Sequence, residues 1–294
     1  MTERWRIAFI AFVLFMAFGY LGIVEAQEEA VSKTEVITQH RYTDQQSNTT
    51  APYLMYPPAS DTPYAKRSLL IFLYGAGGSI ENYNLKREPY AQLREQLAQR
   101  GYYVIVPELG KFHFMNAQAK ATLDGIVAQV LQEERIPVNR VHVMGTSMGA
   151  GSSLAYTLHR PEMIRSVCAV MPMTDMKDWV IENPGYADRL AKVYGGTYDQ
   201  VPEAYDRNSA IKHVAVFEHI PVMLVHGTSD RTVLYTQSKR LADLLEANEF
   251  AYTLCTAEGQ GHKDEAMREY QLIAADFFDA ATAVTAKGAG LSKP

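Results

Sequence analysis

Short apolar runs bounded by glycine or proline alternate with longer stretches of helical periodicity from Ser68 onward. The runs hold four to six residues each, a length typical of strands buried on both faces of a parallel sheet. We predict these strands at Leu69–Tyr74, Tyr102–Val106, Val141–Met144, Val167–Met171, Val222–Val225 and Ala251–Cys255. Helices are predicted between them, near residues 86–100, 116–135, 149–159, 234–248 and 264–282. This alternation indicates an α/β fold with a mostly parallel central sheet and helices on both faces.

Three segments depart from the strand–helix rhythm. Residues 34–42 and 51–57 carry β-favouring residues with partial alternation, and we predict two antiparallel edge strands there. Aromatic residues, prolines and glycines interrupt the pattern over residues 175–215, which predicts a small cap inserted into a domain of residues 34–282. The last residues, 286–294, are predicted to be a disordered tail.

The N-terminus carries the pattern of a secretory signal peptide. Arg4 and Arg6 precede an apolar run over residues 7–24, and small and polar residues follow around Ala26. We predict a signal peptide over residues 1–26 and a mature chain exported to the periplasm or secreted. The apolar run is just long enough to span a bilayer, so retention as an N-terminal membrane anchor stays open.

Composition excludes several classes of function. Hydrophobic residues make up 47% and charged residues 21% of the chain, and the formal net charge is −5. No basic stripe is present, so we expect neither a nucleic acid nor a strongly charged partner. The eight histidines are scattered without ligand spacing, so no metal site is predicted. Cys168 and Cys255 each lie in an apolar run, which favours buried, unpaired thiols over a disulfide.

The strongest chemical motif is Gly145-Thr146-Ser147-Met148-Gly149. It follows the predicted strand Val141–Met144 and opens a predicted helix, which is the setting of a nucleophile elbow. Glycines are expected on both sides because the sharp turn from strand to helix crowds the flanking positions. The turn exposes the Ser147 hydroxyl at the carboxyl edge of the sheet and directs a helix N-terminus toward it. We therefore predict that Ser147 is a nucleophile.

A serine hydroxyl needs a base, and a histidine base needs an orienting carboxylate. Asp230 follows the strand Val222–Val225, and His262 follows the next strand, Ala251–Cys255. Two successive strand ends therefore deliver an acid and a histidine to the sheet edge that carries Ser147. We predict Asp230 as the acid and His262 as the base.

Other readings of these residues stay open. Asp230 suits a helix cap, and His262 suits a surface loop. Asp264 is a rival acid, although from two residues past His262 it cannot easily reach the imidazole from behind. His226 is a rival base, but its place at a strand exit suits a structural hydrogen bond better.

A glycine-rich turn, Tyr74-Gly75-Ala76-Gly77-Gly78, directly follows the first parallel strand. Backbone N–H groups in such a turn can point at a developing oxyanion, together with the N–H just after the nucleophile. We predict Ala76 and Met148 as the oxyanion donors, with Gly77 as the fallback for Ala76. A phosphate loop is excluded because no Lys-Ser or Lys-Thr pair follows the glycines.

Residues that line a substrate pocket are harder to choose. His113 and Phe114 follow the second parallel strand, and Trp179 lies in the predicted cap. We predict substrate contacts from Gly77, His113, Phe114 and Trp179. Cap aromatics also commonly pack against the cap itself, and that alternative stays open.

The chain resembles the α/β-hydrolase superfamily over about residues 34–282, and within it the catalytic domain of the prolyl oligopeptidase family and single-domain esterase relatives. The resemblance is carried by the elbow, the glycine-rich turn, Pro221–Asp230 and Gly259–His262. It implies an α/β-hydrolase fold and a Ser-Asp-His triad. Two departures weaken the likeness to the peptidases: no propeller domain is visible upstream, and Ala76 stands where prolyl oligopeptidases place an oxyanion-binding tyrosine.

These observations predict an exported carboxylic-ester hydrolase that forms an acyl-enzyme and needs no cofactor. Its expected partner is a small-molecule or polymer-attached ester, with no membrane partner unless the N-terminal segment is retained. One alternative is an exported serine peptidase with the same triad. Another is a non-catalytic binding protein on the same fold, and the complete triad argues against it.

Overall fold

The computed structural model describes residues 37–44, 48–83 and 89–283. The predicted signal peptide, residues 1–26, and the predicted tail, residues 286–294, lie outside the described residues. Among the helices that the structure describes, none has both the length and the apolar character needed to cross a membrane.

The centre of the fold is an eight-stranded sheet in the order β1-β2-β4-β3-β5-β6-β7-β8. Within the described strands, β2 alone runs against its neighbours, pairing antiparallel with β1 and β4, and all other pairs are parallel. The strands are β1 (Thr38–Thr43), β2 (Thr50–Tyr56), β3 (Ser68–Leu73), β4 (Tyr102–Pro107), β5 (Val141–Thr146), β6 (Ile164–Val170), β7 (Val222–Gly227) and β8 (Tyr252–Ala257). The predicted α/β-hydrolase fold with a mostly parallel sheet is confirmed.

The second N-terminal strand corrects one prediction, because β2 is an interior strand. It pairs with β1 on one side and with β4 on the other. Partial alternation predicted two edge strands, although β2 also contains Pro52, a residue that sheets usually confine to edge strands. Pairing with β4 begins only at Tyr53, one residue after the proline, so the missing N–H of Pro52 breaks no bond to β4.

Helices cover the sheet and fill the connections between parallel strands. The helices are α1 (Tyr90–Gln99), α2 (Ala117–Glu133), α3 (Met148–His159), α4 (Met176–Glu182), α5 (Ala187–Tyr194), α6 (Pro202–Asp206), α7 (Tyr235–Ala247) and α8 (Gln271–Ala283). Helices α4 to α6 lie between β6 and β7, in the stretch predicted as a cap, and residues 175–215 are called the cap segment below. The last predicted helix begins instead with a 3-10 stretch, Asp264–Tyr270, before α8.

The core lies along the middle of the sheet. Strands β3, β4, β5 and β7 are buried over their whole length, as expected for strands covered on both faces. Cys168 and Cys255 are buried and free, which confirms the prediction of unpaired thiols. Because β3 and β5 to β8 run parallel, the loops after them meet at one edge, and this edge holds the candidate site.

Candidate active site

Ser147 occupies a strained turn between β5 and α3. Its backbone has φ 53° and ψ −119°, a conformation that costs a non-glycine residue about 1–3 kcal/mol. The Ser147 N–H donates to the carbonyl of Val170 at 2.9 Å, which ties the turn to β6. A Cβ on Gly145 would lie 2.2 Å from the carbonyl oxygen of Gly149, and a Cβ on Gly149 would lie 2.0 Å from that of Leu73. Both flanking glycines are therefore required by close backbone contacts.

Three side chains predicted from distant parts of the sequence form one hydrogen-bonded chain. His262 Nε2 lies 2.8 Å from Ser147 Oγ, and His262 Nδ1 lies 2.6 Å from Asp230 Oδ2. The neutral tautomer that fits both contacts donates Nδ1–H to the carboxylate and accepts the serine proton at Nε2. The structure thus brings together the nucleophile, base and acid that the sequence predicts.

The carboxylate of Asp230 is surrounded by donors. Its Oδ1 accepts the N–H groups of Thr232 at 2.8 Å and Val233 at 2.9 Å. Its Oδ2 faces His262 and also lies 3.3 Å from Nε2 of His226. Burial by itself would raise the pKa of Asp230, but hydrogen bonds from His226 and His262 outweigh burial and lower that pKa. Asp230 therefore stays ionised at neutral pH.

His226, the rival base, makes structural hydrogen bonds, as its place at a strand exit predicted. Its side chain is fully buried, with Nδ1 2.7 Å from Ser238 Oγ and Nε2 2.9 Å from the carbonyl of Val233. The Nε2–H therefore points at both Val233 and Asp230, and His226 holds the acid rather than replacing the base. The spacing of four residues between His226 and Asp230, across a strand exit, is the signal that suggests this contact.

The glycine-rich turn offers the Ala76 N–H as a free donor, whereas the Gly77 N–H already has an acceptor. Among the described residues, neither the Ala76 N–H nor the Met148 N–H has a hydrogen-bond acceptor, so both are available to an oxyanion. The Gly77 N–H, the fallback donor, instead donates to the carbonyl of Lys111 at 2.7 Å. Folding the loop after β4 against this turn uses that N–H, and the sequence does not reveal the pairing.

Asp264, the rival acid, is used elsewhere. Its Oδ1 accepts hydrogen bonds from Thr146 Oγ1 at 2.6 Å and from Tyr90 Oη at 2.8 Å. The Tyr83 hydroxyl belongs to the same cluster and lies 3.2 Å from where a Cβ on Gly75 would stand. Asp264 thereby links the loop of His262 to the residue before the nucleophile and to the glycine-rich turn.

The predicted pocket residues are packed inside the protein. His113 and Phe114 are 3% exposed, and Trp179 is 2% exposed. His113 Nδ1 accepts the N–H of Met115 at 3.2 Å, the Phe114 ring lies 5.8 Å from that of Trp179, and Trp179 Nε1 donates to the carbonyl of Thr232 at 3.1 Å. Phe114 and Trp179 thus lie between the cap segment and the loop of Asp230, whereas the His113 ring packs against that of Tyr74, with 6.1 Å between centroids. The contacts of Phe114 and Trp179 fit the alternative of cap packing, and a substrate contact by any of the three residues stays a prediction.

A metal centre is not visible in this part of the molecule. Within the residues that the structure describes, no three His, Cys, Asp or Glu side chains converge as a metal ion would require. The groups that the structure brings together at the site are the serine, the imidazole, the carboxylate and two backbone N–H groups.

Comparisons with known proteins agree with this geometry. Residues 121–285, over half of the chain, match the prolyl oligopeptidase family. Dipeptidyl peptidase 8 of Mus musculus is 26% identical over 209 residues, which cover 65% of this chain and 22% of that protein. Dipeptidyl peptidase family member 2 of Caenorhabditis elegans is 24% identical over 71% of this chain and 26% of its own length. The chain thus spans about a quarter or less of these relatives.

Solved structures show the same fold at low identity. A puromycin-hydrolyzing peptidase of Mycobacterium tuberculosis is 18% identical with a TM-score of 0.66, over 83% of this chain and 40% of that one. A ferulic acid esterase is 14% identical with a TM-score of 0.66, over 84% of this chain and 98% of that one. At these identities the likeness shows the fold alone.

Proposed function

The chain belongs to the prolyl oligopeptidase family, and on that premise we propose that this serine hydrolase cleaves carboxylic esters through an acyl-enzyme. The observation that carries the proposal is the hydrogen-bonded chain from Ser147 through His262 to Asp230 at a strained elbow. The substrate is a small-molecule or polymer-attached ester, and the residues named need no cofactor for this chemistry.

The mechanism follows from the positions of the side chains. Ser147 Oγ attacks the acyl carbon while His262 Nε2 takes the hydroxyl proton, and Asp230 stabilises the imidazolium that forms. The N–H groups of Ala76 and Met148 bind the tetrahedral oxyanion. The imidazolium then gives its proton to the departing alkoxide. In the second half of the reaction, His262 takes a proton from water, and the water oxygen attacks the acyl carbon. The proton then returns to Ser147 Oγ, and the carboxylic acid product leaves.

The choice of esters over amides depends on the oxyanion site. Amines leave less readily than alkoxides, so amide cleavage depends more strongly on each oxyanion donor and on accurate proton donation. Ala76 contributes an N–H but no side-chain hydroxyl. The Tyr83 hydroxyl, which lies beside Gly75, is already engaged with Asp264. We therefore infer a site that suffices for activated and simple esters.

The family and its dipeptidyl peptidase relatives favour a second candidate, a serine peptidase with the same triad. One acyl group carried on an ester and on an amide separates the two candidates when kcat/KM is measured for both. We expect the ester to be hydrolysed at least about 10³-fold more efficiently, a difference of roughly 4 kcal/mol in barrier. An amide that kept pace with the ester would make the peptidase the better description.

A gain-of-function variant tests the physical reason for this preference. Ala76→Tyr adds a phenol to the glycine-rich turn, and we expect it to raise the amide-to-ester ratio of kcat/KM because a further donor helps the harder reaction more. Ala76→Phe is the matched control, with the same ring and no hydroxyl. Equal ratios in the two variants would show that the oxyanion donors do not set the preference.

Export is a further part of the proposal, supported by the basic, apolar and small-residue pattern of residues 1–26. Expression of the full chain in a host with a secretory pathway tests it. We expect the mature N-terminus after Ala26, read by N-terminal sequencing of exported protein. Activity that stays with the cytoplasmic fraction would contradict export.

A further inference from the structure

A pocket lies between the cap segment and helices α2 and α3, away from the nucleophile. Its volume is about 160 Å³, and its walls come from the start of α2, the end of α3, and helices α5 and α6 of the cap segment. His159, in its wall, ends the helix that begins next to Ser147, about 18 Å away along α3. The pocket is therefore distinct from the candidate active site and joins the cap segment to the rest of the domain.

Positive charge is concentrated in this pocket without a compensating carboxylate. Lys120 and Arg207 line it, and no Asp or Glu does. Among the described residues, neither cation has a carboxylate oxygen within ion-pair distance. Asp124, one turn along from Lys120, is held instead by Arg160, whose Nε lies 3.0 Å from its Oδ1, and by the hydroxyl of Tyr156.

Neutral groups in the pocket are arranged to donate. The Asn116 Oδ1 caps α2 by accepting the N–H of Ala119 at 2.8 Å, which leaves the Asn116 amide NH₂ without an acceptor among the described residues. His159 Nε2 and Asn208 Oδ1 lie 3.3 Å apart, so the imidazole bridges to the cap segment. Burial is the main cause that lowers the pKa of His159, and the nearby charges of Lys120 and Arg207 lower it further.

We propose that this pocket binds a small oxyanion of the phosphate or sulfate type between Lys120 on α2 and Arg207 just after α6. Guanidinium and ammonium groups are the side chains that proteins use for such anions, and both are present here without a partner. The Asn116 amide supplies a third donor. A bound anion would neutralise the two cations that line the pocket and connect the cap segment to α2.

A hydrogen bond connects this pocket to the loop after β4, which packs near the candidate active site. Tyr194 lines the pocket, and its hydroxyl donates to the carbonyl of Phe114 at 2.9 Å. Phe114 and Met115 both have positive φ, 39° and 52°, in the loop after β4. An anion that fixes the pocket thus also restrains a strained loop next to Trp179 and the loop of Asp230.

Thermal unfolding in matched salts tests the proposal on the full mature chain. We expect inorganic phosphate and sulfate to raise Tm by about 2 °C or more over chloride of equal ionic strength, since a ligand that binds only the folded state stabilises it. The double variant Lys120→Gln with Arg207→Gln should lose that rise. The control, Lys192→Gln with Arg268→Gln, removes two exposed cations that do not line the pocket and should keep it.

The comparison of variants decides the outcome. Equal Tm rises in the pocket variant and the control variant would mean a general salt effect and would overturn the site. Titration with O-phosphoserine alongside inorganic phosphate distinguishes a free anion from the phosphate of a larger molecule. Hydrogen exchange gives a second readout: phosphate should slow exchange in residues 202–208 of the wild type and not of the pocket variant. Ester turnover is not used, so the test does not depend on the proposed function.

Discussion

The residues of the candidate triad differ sharply in their exposure, and the difference matches their tasks. The Asp230 side chain is 0% exposed, whereas that of His262 is 20% exposed. The carboxylate is thus dry and held by four donors, while the imidazole stays accessible to substrate and water. Electrostatic attraction between a buried carboxylate and the imidazolium is stronger in such surroundings than in water.

Removal of the nucleophile is the first test at this scale. Ser147→Ala should leave a folded protein whose kcat falls by about 10⁴-fold or more, because the acyl-enzyme can no longer form. Ser152→Ala is a matched control one turn and a half along the same helix. Its hydroxyl is buried with no hydrogen-bond partner among the described residues, so its removal should leave activity intact and stability unchanged or slightly higher. A folded Ser147→Ala protein with a tenth of wild-type turnover would remove Ser147 from the mechanism.

The supporting histidine gives a second test. His226→Ala removes one donor to the Asp230 carboxylate, so the pKa of Asp230 should rise and kcat should fall by about 10- to 100-fold with KM little changed. A purely structural role predicts instead a lower Tm with an unchanged kcat. His213→Ala, at an exposed position in the cap segment, is the control for loss of a histidine. The measurement is kcat and KM for a neutral ester, with Tm recorded beside them.

The sequence alone predicts Ser147, Asp230 and His262 because each of them follows a strand that a continuous apolar run reveals. It missed the donors around them. The contact of Asp264 with Thr146 and Tyr90 joins residues that are far apart in the chain, and only the assembled sheet edge brings them together. The Gly77 N–H was the fallback oxyanion donor, because nothing in the sequence shows that the Lys111 carbonyl folds back onto it.

At the scale of elements, the strand-to-helix turn is the feature that tolerates least change. Gly149, the second residue of α3, lies against the end of β3, so a methyl group there must displace backbone rather than a flexible side chain. The sheet itself was predictable because buried parallel strands are continuous apolar runs. The interior position of β2 was not predictable from the sequence. It depends on the pairing of β2 with both β1 and β4, and the sequence of a single strand does not show which neighbours it will have.

Replacement of this glycine tests the reason for the motif. Gly149→Ala places a Cβ 2.0 Å from the Leu73 carbonyl oxygen, and we expect a loss of stability of roughly 3 kcal/mol or more, together with loss of activity. Gly185→Ala is the control, because a Cβ there meets nothing within 4 Å. Urea unfolding of both variants measures the difference. Wild-type stability in Gly149→Ala would show that the close approach of α3 and β3 is relaxed in solution.

Two histidines buried in the core affect the stability of the whole molecule. Burial lowers the pKa of His113 and of His142 to about 3, so both are neutral in the folded protein over most of the pH range. His142 lies on β5, with Nδ1 2.8 Å from Ser166 Oγ and Nε2 3.0 Å from Thr282 Oγ1. The Thr282 hydroxyl donates to the carbonyl of Phe278, so it accepts from Nε2–H, and the neutral ring fits both neighbours.

Acid should therefore destabilise the fold through proton uptake on unfolding. In the unfolded chain a histidine gains its proton near pH 6.5, whereas folded His142 gains it only near pH 3. The contribution of His142 to stability is thus complete above about pH 6.5 and is lost progressively as the pH falls toward 3, at about 1.4 kcal/mol per pH unit. The variant His142→Gln has an amide that can still hydrogen-bond the hydroxyls of Ser166 and Thr282, but the amide takes up no proton in this pH range. We measure the unfolding free energy of both proteins by urea titration at pH 4.5 and 5.5. The wild type should take up about one more proton on unfolding than the variant, so its unfolding free energy should depend more steeply on pH. His219→Gln, at an exposed position, should keep the wild-type slope. A His142→Gln slope equal to that of the wild type would mean that this ring takes up its proton as readily in the folded protein as in the unfolded chain.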